Sequence, residues 1–297
     1  MSQSVNVPIN SDNPTISLKR PSFIVRWPVI PSTILGFLIL LAIFAPLIAP
    51  HPPLEASLAD RNAPPVWSDE GSWNRILGAD VIGRDILSRV IHGARLSLLV
   101  AFVALVSGVV VGTTLGLVSG YFGGVIDEII TRIVDVWLGL PFILVALVIA
   151  VVVGPSLGTM VMLLALLAWT PFVRNVRAEV LSLKSREYVA IAQITGASTT
   201  RILIRHLLPG VFNTVMVLAS LRIGQLILTE SFLSFLGAGI PPPAPSWGAM
   251  ISDGLNYVRD AWWISVFPGI AIFLTVMSLN FLGDWLRDWL DPRLRQI

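Results

Sequence analysis

Residues 97–118 read SLLVAFVALVSGVVVGTTLGLV, and no charged residue interrupts them. At 1.5 Å per residue this run makes a helix of about 33 Å, enough to cross the roughly 30 Å hydrocarbon core of a bilayer. In lipid each backbone amide and carbonyl must be satisfied within the protein, so an apolar run of this length is read as a transmembrane helix. Outward from it, five more charge-poor runs follow the same rule: Val29 to Ala49, Ile133 to Val153, Leu157 to Val173, Leu207 to Thr229 and Trp263 to Leu282. The fourth is short and is expected to continue past Arg174, whose long stem reaches the interface. The expectation is an all-α integral membrane protein with six transmembrane helices.

The composition agrees. Of 297 residues, 55% are hydrophobic and 13% charged, and the mean hydropathy is +0.80; a soluble domain carries about twice that charged fraction. The formal net charge of +2 is a small excess and not a nucleic-acid surface. The absence of cysteine excludes disulfides, thiolate metal sites and cysteine nucleophiles, and His51, His92 and His206 are too scattered to suggest a metal site.

Lysine and arginine set the orientation. With the N-terminus inside, the inner segments hold 13 of the 20 basic residues, among them Lys19, Arg132, Arg174, Arg177, Lys184 and Arg205, and the outer segments hold 6: Arg61, Arg75, Arg84, Arg89, Arg95 and Arg259. The remaining one, Arg222, falls within the fifth span. Both termini are therefore expected to be cytoplasmic. Residues 1–27 are polar and lack the apolar core and cleavage site of a removed leader, so the first span is expected to act as an uncleaved signal anchor. Pro46, Pro50, Pro52 and Pro53 end that helix, since proline lacks the amide donor a continuing helix needs.

Two intramembrane features stand out. Gly108, Gly112, Gly116, Gly120 and Gly124 recur every four residues on one slowly drifting helix face. That face serves either as a tight packing seam or as a sliding surface. Asp135, Arg222 and Glu230 are charges that must meet protein or a water-filled path rather than lipid, as partners of another helix or subunit or as path lining. Arg222 and Glu230 lie about 12 Å apart along one helix and do not pair directly.

The segment between spans four and five, residues 174–208, is predicted to hold short helices rather than a linker. Ser185 can cap a helix starting at Arg186, Glu187 puts negative charge in its first turn, and Gly196 suits the left-handed residue that ends it. Ser198 can cap a second helix through Arg201 and Arg205, with Pro209 at the entry to span five. On the outer side, Asp80 can cap a helix in which Asp85 and Arg89 pair across one turn and Ile82, Ile86 and Val90 form an apolar row.

At residues 188–209 the sequence resembles the integral-membrane permease subunits of ABC importers. Their hallmark is a Glu-Ala-Ala run, a glycine four residues later and an Ile-x-Leu-Pro ending; Ala192, Gly196, Leu208 and Pro209 fall in register. Ala190 stands where the family has glutamate, Ile191 replaces the first alanine and His206 the isoleucine, the histidine being typical of the peptide and nickel branch. Glu187, one turn earlier, is expected to stand in for the missing carboxylate. The resemblance covers nearly the whole chain beyond residue 28 and points to the C-type subunit of the dipeptide, oligopeptide and nickel family. It is carried by Leu77-Gly78-Ala79-Asp80, Gly83-Arg84-Asp85, Ser88-Arg89 and Gly93-Ala94-Arg95, and by Asp127, Arg132, Asp135 and Pro141. It continues through Leu233-Ser234-Phe235-Leu236-Gly237, the segment from Pro241 to Gly248, Gly283 to Asp288, and Asp291-Pro292-Arg293.

The resemblance implies a type I ABC importer permease fold in the bacterial or archaeal inner membrane. It implies a cytoplasmic tail over 1–27, a first helix and extracytoplasmic segment over 28–96, and a five-helix permease core over 97–297. The implied partners are a homologous B-type permease, two cytoplasmic ATPase subunits and an extracytoplasmic binding protein. Contact with the ATPase falls to Glu187, Ala190, Ala192, Gly196, Leu208 and Pro209. Asp80, Arg84 and Asp85 are candidates for the binding-protein contact, the alternative being a structural lid. No cofactor is expected on this chain; ATP and magnesium belong to the partner ATPases. The only lysines, Lys19 and Lys184, are not preceded by glycine, so no phosphate-binding loop of the Gly-x-x-x-x-Gly-Lys-Ser/Thr type is present. Peptides are the leading cargo, with nickel complexes, opines and oligosaccharides as alternatives.

Two other classes compete. Gly154-Pro155-Ser156-Leu157-Gly158 matches a serine-hydrolase pattern, but it sits in a turn between apolar spans instead of a strand-to-helix elbow. An ion-coupled transporter could use Asp135, Arg222 and Glu230.

Overall fold

The computed structural model describes residues 28–290. The N-terminal tail and the closing Asp291-Pro292-Arg293 lie outside the described residues. Among the described residues every extended regular element is a helix, and the one β contact is an isolated bridge between Ala79 and Asp85. The helices are α1 (Val29–Ile43), α2 (Ala45–Ile48), α3 (Ile86–Phe122), α4 (Gly124–Gly139), α5 (Phe142–Val153), α6 (Leu157–Lys184), α7 (Glu187–Ile194), α8 (Thr199–Ile202), α9 (Leu208–Phe235), α10 (Trp247–Gly254) and α11 (Trp263–Leu290). A π-helical turn, Leu203–Leu207, joins α8 to α9, so that Thr199–Phe235 forms one 37-residue rod.

All six apolar runs are helical, but among the described residues only four elements are long and apolar enough to cross a bilayer as single rods: α3, α6, the Thr199–Phe235 rod and α11. The first run departs from the expected single helix. α1 has 15 residues and stops at Phe44, and Pro46 then sits in the first turn of α2. The third run departs further: α4 and α5 meet at an 85° bend. Pro141 has no amide to donate and its ring forces Leu140 into extended geometry (φ −87°, ψ 133°), so the helix cannot continue through it. α6 runs past Arg174 to Lys184, as the long arginine stem suggested.

α3 begins 11 residues before the expected span, at Ile86, and its cap is Asp85 rather than Asp80: the Asp85 carboxylate accepts from the Ser88 amide at 2.8 Å. There is thus no separate surface helix with an Ile82–Ile86–Val90 row, because Ile82 precedes the helix and Ile86 is fully buried within it.

The core is built where α3 packs parallel to α6, Gly108 beside Ala168 at one end of the contact and Gly120 beside Val180 at the other. A β-carbon on Gly108 or Gly112 would collide with Ala168 or with the Trp169 carbonyl; on Gly116 it would come within 2.8 Å of Val176 Cβ, and on Gly120 within 2.7 Å of Val180 Cβ. Four of the five glycines therefore form a packing seam. Gly124 does not belong to it: it opens α4 at φ +54°, and a β-carbon added there would meet nothing within 4 Å. Phe172, Leu163, Leu164 and Val176 of α6, with Ile227 and Leu233 of α9, fill the interior around this seam.

Candidate functional site

The loop after α6 projects one short helix. Ser185 does not cap it; its hydroxyl donates back to the Ser182 carbonyl at 2.9 Å, while Arg186 occupies the cap position of α7 with no side-chain bond. Gly196 ends it in the left-handed region (φ +77°). Its amide donates to the Gln193 carbonyl at 3.1 Å, and the Ala197 amide donates to the Ala192 carbonyl at 3.0 Å. Ser198 then caps α8, accepting from the Arg201 amide at 3.4 Å.

The two faces of α7 differ. Val189 and Ala192 are buried against the core, whereas Glu187, Ala190, Ile191 and Ile194 lie at i, i+3, i+4 and i+7 on an exposed face. Ile191 is 60% and Ile194 86% exposed. Of the six residues expected to contact an ATPase, Glu187 and Ala190 share that face and Ala192 points away from it. Gly196 is open, and Leu208 and Pro209 form the exposed start of α9. The His206 ring lies 6.4 Å from that of Tyr188, which joins the far side of the π-turn to α7. The sequence reading missed Ile191 and Ile194 as candidates; apolar residues at i and i+3 beside Glu187 were the available signal.

At the opposite end of α3, Asp80 is buried. Its Oδ1 accepts from the amides of Ile82 (3.0 Å) and Arg84 (2.9 Å), and its Oδ2 from Arg84 Nε (2.6 Å) and from Arg89. Asp253 of α10 faces the same two guanidinium groups, at 3.4 Å from Arg84 and 3.5 Å from Arg89. Arg89 therefore pairs with Asp80 and not with Asp85. Two carboxylates balance two arginines, which is what a buried charge cluster requires. Asp80 and Asp85 have no exposed surface and Arg84 is 9% exposed: Asp80 and Arg84 tie the outer segment to α10 through Asp253, and Asp85 caps α3. Trp247 Nε1 donates to the Val90 carbonyl (2.9 Å) and Trp263 Nε1 to the Ala79 carbonyl (3.1 Å), closing the same lid.

The intramembrane charges separate. Glu230 is fully buried and accepts from Ser234 (2.9 Å) and Ser231 (3.3 Å) of its own helix. Arg222 donates to Gln225 one turn away. Asp135 accepts from Arg174 at 2.6 Å, with both side chains about half exposed. Ser156 is the cap of α6, bonded to the Thr159 amide at 3.0 Å, which explains the hydrolase-like pattern as a helix start. Two open grooves border these helices. One, about 830 Å³, lies between α9 and α11 beside Ser231, Asn280 and Asp284. The other, about 620 Å³, lies between Pro141, Phe142 and Ile143 of the bend and Gln225 and Thr229 of α9. Glu230 lines neither.

Comparison with known proteins gives two family matches. Residues 112–296 match the model described as binding-protein-dependent transport system inner membrane component. Residues 29–65 match the N-terminal TM domain of oligopeptide transport permease C. The chain is 41% identical over 264 residues to the dipeptide transport system permease protein DppC of Bacillus subtilis (strain 168), covering 89% of this chain and 81% of that protein. With the Escherichia coli (strain K12) protein of the same name the identity is 45% over 256 residues, covering 86% and 85%. Among solved structures, the MetNI methionine ABC transporter in an inward-facing crystal form superposes with a TM-score of 0.58 at 18% identity, covering 69% of this chain and 98% of that one; that likeness shows the fold.

Proposed function

This chain belongs to the family of binding-protein-dependent transport system inner membrane components, and from that premise we propose that it forms half of the pathway through which an ATP-driven importer moves dipeptides or short oligopeptides. It is a permease subunit of an ABC importer and resides in the inner membrane. The observation that carries the reading is α7. Only Ser185 and Arg186 separate it from α6, and its outward face of Glu187, Ala190, Ile191 and Ile194 is uncovered by the other described residues. A short helix offering two apolar anchors and a carboxylate suits a groove on another protein. With a cytoplasmic N-terminus and six crossings, that helix faces the cytoplasm, where an ATPase subunit docks, and Glu187 supplies the carboxylate missing at Ala190.

The remaining partners follow from this role: a second, homologous permease that completes the pathway, a second ATPase, and an outer binding protein that delivers cargo. This chain then contributes no catalytic group, and ATP with magnesium is bound by its partners. The peptide cargo is supported by the relatives' names and by the match to an oligopeptide permease segment. The test is reconstitution of all subunits in proteoliposomes. Uptake of a labelled dipeptide should require ATP inside and the loaded binding protein outside. Uptake by the purified chain alone, down a gradient and without ATPase subunits, would refute the assignment.

A further inference from the structure

α6 is gripped by α3 along the glycine seam, and where the seam ends Lys184 Nζ donates to the Tyr121 carbonyl at 2.6 Å and sits 5.5 Å from the Tyr121 ring centre. α3, α6 and the attached α7 are thereby one body. α4 is joined to that body differently: among the described residues Val134 alone of α4 is buried. Its link is charge. The Asp127 carboxylate takes a two-pronged contact from Arg177, with NH2 to Oδ2 at 2.6 Å, and also accepts from Ser119 and from Thr131 at 3.4 Å. Eight residues further along α4, Asp135 accepts from Arg174, one turn from Arg177 on α6. Beyond Asp135 lies the 85° bend, and beyond it Phe142 and Ile143 wall the groove shared with Gln225 and Thr229.

We propose that the Asp127–Arg177 and Asp135–Arg174 pairs are positioning contacts that carry displacement of the docking helix α7 to the α5 wall of this groove. The proposal rests on the reading of α7 as the element that meets an ATPase. The pairs are partly exposed (side chains 18% and 33% for Asp127 and Arg177, 48% and 53% for Asp135 and Arg174), a setting in which ion pairs contribute little to stability. Their geometry does more than their energy. A forked arginine–carboxylate contact fixes both distance and orientation, so α4 follows α6 without the broad apolar packing that joins α3 to α6. Movement then reaches α5 across Leu140–Pro141, where the helical hydrogen bonding is interrupted and the two limbs can change angle.

The test uses the complete importer in proteoliposomes with Arg177→Ala, Asp127→Ala, Arg177→Lys and the exchange Asp127→Arg with Arg177→Asp. The single alanine variants should retain their ATPase subunits through purification and keep basal ATP hydrolysis. Stimulation of hydrolysis by the loaded binding protein should fall about 2- to 30-fold, the range for residues that couple two sites without touching either ligand. Lysine, which keeps the charge but not the fork, should fall between wild type and alanine, and the exchange should recover most of the stimulation. Unchanged stimulation in Arg177→Ala with normal assembly overturns the proposal alone. So does an exchange variant that assembles yet stays as uncoupled as the singles. If Ile191→Asp on α7 leaves ATPase retention unaffected, the docking role of α7 fails and the proposal falls with it.

Discussion

Gly116→Ala and Gly36→Ala are the same chemical change in two helices and should move stability in opposite directions. In an isolated helix interior, alanine is favoured over glycine by about 1 kcal/mol because it loses less backbone entropy. At Gly36 a new β-carbon meets nothing within 4 Å, so that gain is realised. At Gly116 it would stand 2.8 Å from Val176 Cβ and 2.9 Å from the Val173 carbonyl oxygen. An ordinary contact begins near 3.4 Å; α3 and α6 must therefore part by about 0.6 Å locally. A backbone carbonyl cannot rotate out of the way, so overpacking should reach the upper end of its usual range, about 3 kcal/mol, leaving a net loss of about 2 kcal/mol after the alanine gain. For a chain of this size 1 kcal/mol corresponds to roughly 2–4 °C. Thermal unfolding of the purified chain in detergent should thus place Gly116→Ala about 4–8 °C below wild type and Gly36→Ala about 2–4 °C above it. Shifts of the same sign at both positions would refute the reading of the stripe as a packing seam, and a Gly116→Ala chain as stable as wild type would do so by itself.

Three further outcomes follow from the geometry. Asp80→Asn leaves two buried guanidinium groups facing only Asp253 and should cost about 3–5 kcal/mol, against at most about 1 kcal/mol for Asp253→Asn at the cluster's exposed edge; equal losses on unfolding in detergent would contradict this arrangement. Ile191→Asp should weaken recovery of ATPase subunits at least about thirtyfold, as for a buried interface anchor, while Glu187→Ala weakens it less and more so at low salt; wild-type recovery at Ile191→Asp would remove α7 from the interface. In Pro141→Ala the bend should open, lengthening the backbone distance between spin-labelled positions Val125 and Val152 from about 30 Å towards about 40 Å, the span of a continuous helix between them. The labels go onto a chain with no native cysteine, and an unchanged distance would show that packing and not proline sets the angle.

What the sequence made legible was whatever depends on a single segment. Apolar length located the four helices long enough to cross a bilayer, and a glycine and a serine at fixed offsets marked the end of α7 and the start of α8. Segment-based reasoning went astray where two signals of equal strength compete. Asp80 and Asp85 are both sound helix caps by composition. Asp80 is drawn away by Arg84 and Arg89, and only the packing of α10 against the outer segment decides that. The break at Pro141 is a different failure. A window that counts charges is blind to a missing amide, and the first run shows the same: its helix stops at Phe44, ahead of Pro46, and not at Ala49.

The partners of Asp127 and Asp135 were, by contrast, within reach. A hairpin of two spans returns the chain to the side of the membrane it left, so the residues just before the third run and just after the fourth must be neighbours. Asp127 precedes the third run and Asp135 lies in its first turn, Arg174 and Arg177 follow the fourth, and their pairing satisfies all four. The sequence left Asp135 as the partner of another helix or subunit, as path lining or as an ion-coupling group; Arg174 makes it one half of a contact between helices. The same reasoning separates Glu230 from a coupling role in the path. A carboxylate that accepts from Ser231 and Ser234 and faces Ser97 of α3, with no exposed surface and no place on either groove, is enclosed in the packing of α3 against α9. The polar groups that do face the groove at the bend, Gln225 and Thr229, carry no charge.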